Sequence, residues 1–267
     1  MVPPCTVVWW SDDAGGDLSG MGTDPWHSFV SYGAVHLAAL AGCALLIAGF
    51  AIAGRRLQGA AELNLRRGLA FFSLGFWVFY NVLWNWQGRE LYDALPLHLC
   101  DFNGLIGPIA LLTGNRWLRA PLYFWTMVLG LQAFIQPVLP HGPASPLFWT
   151  FWISHALTFA CAVYDLAVLG FRPTWRDLGR AALAGLGYLA LVIPIDLWLG
   201  ANYGFVGNPP PERSLPPMVA ALGPWPGRVL IIAALALFGF VLALVPWLVV
   251  AARRAAGPDV PAGERAA

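Results

Sequence analysis

The segment "ALPLHLCDFNG" (94–104) carries four polar or reactive side chains within six positions: His98, Cys100, Asp101 and Asn103. Further along, "WISHALT" (152–158) adds Ser154, His155 and Thr158. A thiol and an imidazole suggest nucleophilic catalysis. A thiol with an ordinary pKa of ~8.5 is mostly protonated near neutrality, so it needs a base or a positive field. Pro96 suits a first helical turn. That places Cys100 within one turn of a helix N-terminus, where the dipole favours a thiolate. His98 is a poor base for this thiol, because residues two apart lie about 200° apart around a helix. His98 and Asp101, three apart, share a face. The base for Cys100 must come from another helix, and His155 lies well inside an apolar run at a similar depth. Asn85, Asp101 or Asp196 are candidates to orient the imidazole. Asn85, Asn103 and Gln132 are candidates to donate to an oxyanion. The spacing leaves a plainer alternative open, in which Cys100 is a small packing residue and His155 a hydrogen-bond link between helices.

The elements that must hold these residues are membrane spans. The chain is 58% hydrophobic and 11% charged, with a mean hydropathy of +0.64. A soluble domain rarely has that balance. Apolar runs of about 20 residues recur, each long enough to cross ~30 Å of hydrocarbon. The runs are continuous rather than alternating, which excludes an outer-membrane barrel. Before Phe29 the chain has Asp12, Asp13, Asp17 and Asp24 but no Lys or Arg, so a secretory signal peptide is not expected. The cysteines Cys5, Cys43, Cys100 and Cys161 match no metal or redox spacing. Lysine is absent, which removes retinal Schiff-base chemistry.

Seven spans are expected, at about 30–53, 68–86, 96–113, 117–135, 147–169, 181–200 and 228–250. All fifteen basic residues are arginines, and twelve fall on one side of this alternation: Arg55, Arg56, Arg66, Arg67, Arg116, Arg119, Arg172, Arg176, Arg180, Arg253, Arg254 and Arg265. Arg89, Arg213 and Arg228 fall on the other. The expectation is an all-α polytopic bundle of seven transmembrane helices, with the N-terminus outside and the C-terminus cytoplasmic. Its parts are an extracytoplasmic segment 1–28, a membrane domain 29–252 and a disordered cytoplasmic tail 253–267. The long connection 201–227, whose five prolines in 209–217 cannot be helix interior, is expected as an ordered or semi-rigid external loop.

That topology gives each polar residue a depth. Asn81 and Asn85 end span 2, and His98, Cys100, Asp101 and Asn103 begin span 3. Gln132 and Gln136 end span 4, Ser154 and His155 begin span 5, and Asp196 ends span 6. Five spans thus place polar groups in one leaflet. Such groups face a cavity or one another, and a shared depth argues for a pocket open to the outer leaflet. Asp165 is the main charge in the other half and is expected to meet the arginines at the cytoplasmic end of span 5. No cofactor and no metal are expected. Membrane lipids are the expected substrates, nucleic acid is not a partner, and the oligomeric state is left open.

Several further stretches carry a resemblance: "LPLHLCD" (95–101), "YFWTMVLGLQAFIQP" (123–137), "FWISHALTFACAVYDL" (151–166), "GFRPTWRDLGRA" (170–181), "GANYGFV" (200–206) and "LGPWP" (222–226). Together, over roughly residues 25–250, the chain resembles the YwaF-like integral membrane proteins of bacteria. These are remotely similar to eukaryotic transmembrane acyltransferases that move polyunsaturated acyl chains onto lyso ether phospholipids. The resemblance implies acyl transfer through a thioester on Cys100, with His155 as general base, in the cell (inner) membrane. The alternative is a non-enzymatic seven-helix receptor or sensor that binds a small polar ligand in the same pocket. A transporter is disfavoured by the lack of repeats and of polar groups continuing across the midplane.

Overall fold

The computed structural model describes residues 24–84, 94–213 and 215–256. Within them the chain is all-α. Helix α1 is Ala34–Arg56, and α2 is Gly59–Val78, continued by a π-helical turn Phe79–Trp84. Helix α3 is Leu99–Thr113, α4 is Arg116–Ile135 with a π-helical turn Trp125–Gly130 inside it, and α5 is Pro146–Ala167. Helix α6 is Trp175–Leu199 and α7 is Gly227–Ala256. Five of these, α1, α4, α5, α6 and α7, are long and apolar enough to cross a membrane. The protein is therefore a multi-span membrane protein. Helix α2 carries Glu62, Arg66 and Arg67 in its first half. Helix α3, at 15 residues, spans about 22 Å and falls short of a full crossing.

Local chemistry sets the helix ends. The Asp101 carboxylate accepts the His98 backbone N–H (3.1 Å) and opens α3 one step after His98, so Pro96 precedes the helix instead of starting it. Cys100 becomes its second residue. Helix α3 closes on Gly114, whose φ of 64° suits a residue without a β-carbon. The Asn115 side chain accepts the Trp117 N–H (2.9 Å) at the start of α4. Ser145 does the same for Leu147 (3.3 Å) at the start of α5, just ahead of Pro146. Thr174 and Asp177 form a capping box on α6.

Helix α3 lies at the centre. It packs on α2, α4 and α5, while α1 packs on α5 and α6 on α4. Helix α7 packs on α6 and on the π turn of α4. Large apolar side chains such as Leu45, Phe71, Phe72, Leu186, Trp198, Leu230 and Phe238 are exposed on the outer surfaces of the helices, as lipid contact requires.

The two ends of the bundle differ. At the arginine-rich end, Arg119 of α4 pairs with Asp165 of α5 (2.8 Å), and Arg116 and Arg180 both pair with Asp177 (2.6 Å each). Asp165 thus meets an arginine of the neighbouring helix instead of those following its own. Tyr164 donates to Glu62 (2.9 Å) and ties α5 to α2. At the other end, residues 24–29 pair with the α4–α5 connection: Phe29 N–H donates to Pro140 O and Gly142 N–H to His27 O. The Trp26 N–H and the His27 ring hold the Asp24 carboxyl below the usual carboxylate range. The connection after α6 folds back at Gly200 (φ 60°). Within it Pro217 opens a four-residue helix, Pro217–Ala220.

Candidate functional site

The site is best built upward from the point where three helices touch. A β-carbon added to Gly104 of α3 would lie 3.1 Å from Trp77 Cδ1 of α2 and 3.7 Å from Thr158 Oγ1 of α5. Only a residue without a side chain lets the three helices close this tightly. Trp77 is held there by its indole N–H, which donates to the Asp101 carbonyl (2.7 Å). Below this layer the helices pack closely: a β-carbon on Gly107 would meet Cys161 Cβ at 3.2 Å and Leu122 Cδ1 at 3.4 Å, and Ala110 and Leu111 are fully buried.

One turn towards the arginine-poor end, the same three faces present Asn81 on α2, Cys100 on α3, and Ser154 and His155 on α5. Cys100 is four residues before Gly104, and His155 is three before Thr158. Those offsets are rises of about 6 and 4.5 Å, so positions 100 and 155 stand at similar levels along their helices. Cys100 shares its helix face with Asn103, Gly104 and Gly107, which face α2, α4 and α5, yet it is an exposed free cysteine. The open space at its exposed side chain is the candidate recess.

The His155 ring has a defined orientation. Its Nδ1 lies 2.7 Å from the Phe151 carbonyl oxygen, one turn back on α5, with Ser154 Oγ at 3.4 Å. A carbonyl oxygen only accepts, so Nδ1 carries the proton and Nε2 keeps its lone pair. No hydrogen-bond partner for Nε2 occurs among the described residues. Phe151 (4.3 Å between ring centroids) and Phe134 (6.4 Å) flank the ring. Among the described residues no hydrogen bond joins Cys100 to His155, and no group of three His, Cys, Asp or Glu side chains is arranged to hold a metal ion.

The other candidates separate. Asn103, 3% exposed, donates its amide to Thr126 Oγ1 in the π turn of α4 (2.7 Å) and stays beside the recess. Ser154 donates back to the Phe151 carbonyl (2.9 Å). Asp101 and His98 cap α3. The His98 ring also accepts the Gly204 N–H (3.4 Å) and meets Tyr203 edge-on (5.1 Å). Asp196, fully buried, accepts the Tyr203 N–H (2.9 Å) and anchors the connection after α6. Tyr203 in turn accepts the Leu95 N–H (3.0 Å), and Arg228 of α7 donates to the Gly207 carbonyl. Gln132 donates to Met218 Sδ (3.4 Å), away from the cysteine. Asn85 lies outside the described residues. Trp77, Thr126 and Gly104 are additional members of the site. Only the glycine had a visible signal in the sequence, a small residue one turn from the cysteine.

Two cavities lie elsewhere. One of about 460 Å³ sits at the arginine-rich end, between Gly54, Glu62 and Val168. The other, about 730 Å³ and apolar, runs between α1, α4 and α5 from His36 to Ala48.

Comparison with known proteins fits this frame. An uncharacterized protein of Treponema pallidum (strain Nichols) is 31% identical over 191 residues, which cover 69% of this chain and 77% of that protein. No solved structure matches. The sequence pattern of the TMEM164 family matches residues 29–244, from the segment before α1 into α7 and across every residue of the recess. The chain belongs to the TMEM164 family.

Proposed function

We propose that the chain is an integral membrane acyltransferase or lipid hydrolase that forms a thioester on Cys100, with His155 moving the proton. The observation that carries this reading is the His155 tautomer: Nδ1–H is spent on the Phe151 carbonyl, and Nε2 is left as a base at the level of an accessible thiol. Cys100 also stands second in α3, where the first N–H groups of a helix have no intrahelical acceptor. These groups suit a developing oxyanion. In the proposed first step His155 Nε2 takes the thiol proton, and sulfur attacks the ester carbonyl. The C–O bond breaks as the proton passes to the leaving alcohol. In the second step a hydroxyl or water attacks the thioester, His155 takes its proton, and the thiol is restored. The likeness to the YwaF-like proteins and their eukaryotic acyltransferase relatives supports the lipid substrate.

The proposed topology has seven spans in the cell (inner) membrane, with α2 and α3 counted among them. The N-terminus lies outside and the C-terminus in the cytoplasm, on the strength of the twelve-to-three arginine distribution. The recess then opens to the outer leaflet. The test is lipid mass spectrometry on membranes containing equal amounts of each variant. Cys100→Ser abolishes acyl transfer, and His155→Ala lowers it about 10²–10⁴-fold; full activity in both overturns the reading.

A receptor that binds a small polar ligand in the recess is the second reading. It draws on the absence of a Cys100–His155 hydrogen bond among the described residues. In that case Cys100→Ser leaves ligand-induced thermal stabilisation intact, and His155→Ala or Asp196→Asn removes it.

A further inference from the structure

The apolar cavity between α1, α4 and α5 has no part in the chemistry above. It holds about 730 Å³. Helix α1 lines it with Leu40, Cys43, Ala44, Ile47 and Ala48, whose three- and four-residue spacing is one helix face. Phe134 of α4 and Phe159 and Val163 of α5 stand opposite, with Phe159 buried. The polar groups along the walls are already engaged. His36 accepts the Tyr32 N–H and donates to the Phe134 carbonyl, and the Cys43 thiol donates to the Trp152 carbonyl (3.8 Å). A polar ligand would leave water here and find no partner in exchange.

Both ends of the cavity are bounded. At the arginine-poor end the His36–Phe134 hydrogen bond ties α1 to α4. At the other end Ala51 is buried, and a β-carbon on Gly54 would lie 2.5 Å from Tyr164 Cε2 and 2.8 Å from Val168 Cγ2. Helix α1 therefore closes on α5 and floors the cavity. From His36 to Ala48 the rise is about 18 Å, against about 15 Å for one leaflet of the hydrocarbon core. Spread over that length, the volume gives a width of about 7 Å, too narrow for a helix 10–12 Å across. The remaining side is open. Ala44, Leu131 and Ile135 line the cavity and are exposed, and on α1 they adjoin Leu45 and Ile52 of the lipid-contact surface.

We infer that this groove binds one acyl chain of a phospholipid from the leaflet at the arginine-poor end. The chain enters sideways between α1 and α4, the head group stays outside beside Tyr32, and the chain end meets the floor at Ala51 and Gly54. The floor makes the groove a gauge of length. A chain about as long as one leaflet fills it, and a much longer chain cannot seat its end. The site stands apart from the thioester reading, since it needs neither Cys100 nor His155.

The experiment uses the full chain in nanodiscs of phosphatidylcholine doped with a phosphatidylcholine that carries a diazirine at the end of one chain. After irradiation, peptide mass spectrometry locates the adducts. A probe of palmitoyl length marks Phe159 and Val163 inside the groove. A probe of lignoceroyl length leaves both unmarked and marks the outer face instead. Ala44→Phe with Ala48→Phe fills the groove and abolishes the palmitoyl adducts, while Leu45→Phe, on the outer face, leaves them intact. Thermal unfolding checks that the variants are folded, and the comparison of chain lengths needs the wild type alone. Adducts confined to the outer face of the wild type, adducts at Phe159 and Val163 that survive in the filled variant, or equal marking by both lengths overturns the inference. So does protection of these residues by cholesterol and not by unlabelled dipalmitoylphosphatidylcholine, which assigns the groove to a sterol, or protection only in a dimer, which assigns it to a second copy of the chain.

Discussion

His36 and His155 differ in what their second ring nitrogen touches. His36, 1% exposed, accepts the Tyr32 N–H at Nδ1 (2.8 Å) and donates from Nε2 to the Phe134 carbonyl (2.9 Å). Both nitrogens are committed, and the ring clamps the start of α1 to the end of α4. His155 commits only Nδ1. His36→Phe is therefore expected to cost about 1–3 kcal/mol, because a buried N–H and a buried C=O lose their partners. Thermal unfolding in detergent reads that loss, while activity per folded molecule is retained. On the proposed mechanism, His155→Ala inverts the pattern, with folding kept and turnover lost. The sequence distinguishes the two only partly. His155 lies deeper in its apolar run, but which ring atom is free depends on a carbonyl four residues back. The end of the bundle on which Gln132 and Asp196 lie was readable as well. Their direction around the helix axis was not, and both turn to the loops at the arginine-poor end.

At the scale of elements, the apolar runs were the most legible part, and the helix ends fall on residues with recognisable local chemistry. Ser145-Pro146, Asn115, Thr174 with Asp177, and the glycines at 114 and 200 carry local chemistry that a reader of residues can follow. The two π turns were invisible, because nothing in "FYNVLW" or "WTMVLG" marks an i→i+5 bond; packing of neighbouring helices selects it. These turns carry Asn81 and Thr126, so what the sequence hid lies beside the recess. The arginine-rich end supplies a test of how elements are joined. Arg119 and Asp165 connect α4 to α5, with Asp165 2% exposed. Arg119→Leu leaves that carboxylate buried and unpaired, at a cost of about 3–5 kcal/mol. Arg119→Leu with Asp165→Leu recovers most of the loss. Chemical denaturation of the three proteins in one detergent measures both steps, and a double variant no better than the single one denies the pair its structural weight.

For the whole molecule, composition and arginine placement already implied a polytopic membrane protein, and five helices meet the length and apolarity of a crossing. The central position of α3 was not legible, since a short apolar helix with a polar start looks the same at the rim of a bundle as in its middle. Free thiols report the arrangement directly. Cys43 and Cys161 are buried, only 7% and 0% exposed, and Cys100 is exposed. In a Cys5→Ser background, a membrane-impermeant thiol reagent added outside spheroplasts is expected to modify Cys100 and spare the other two. Modification only after the membrane is broken reverses the proposed orientation. The layer of Trp77, Gly104 and Thr158 has one more consequence. On the proposed topology and mechanism, the packed residues behind that layer would let protons, water and reductants reach the thiol from one side of the membrane alone. The acidity and redox poise of that side would then set its chemistry.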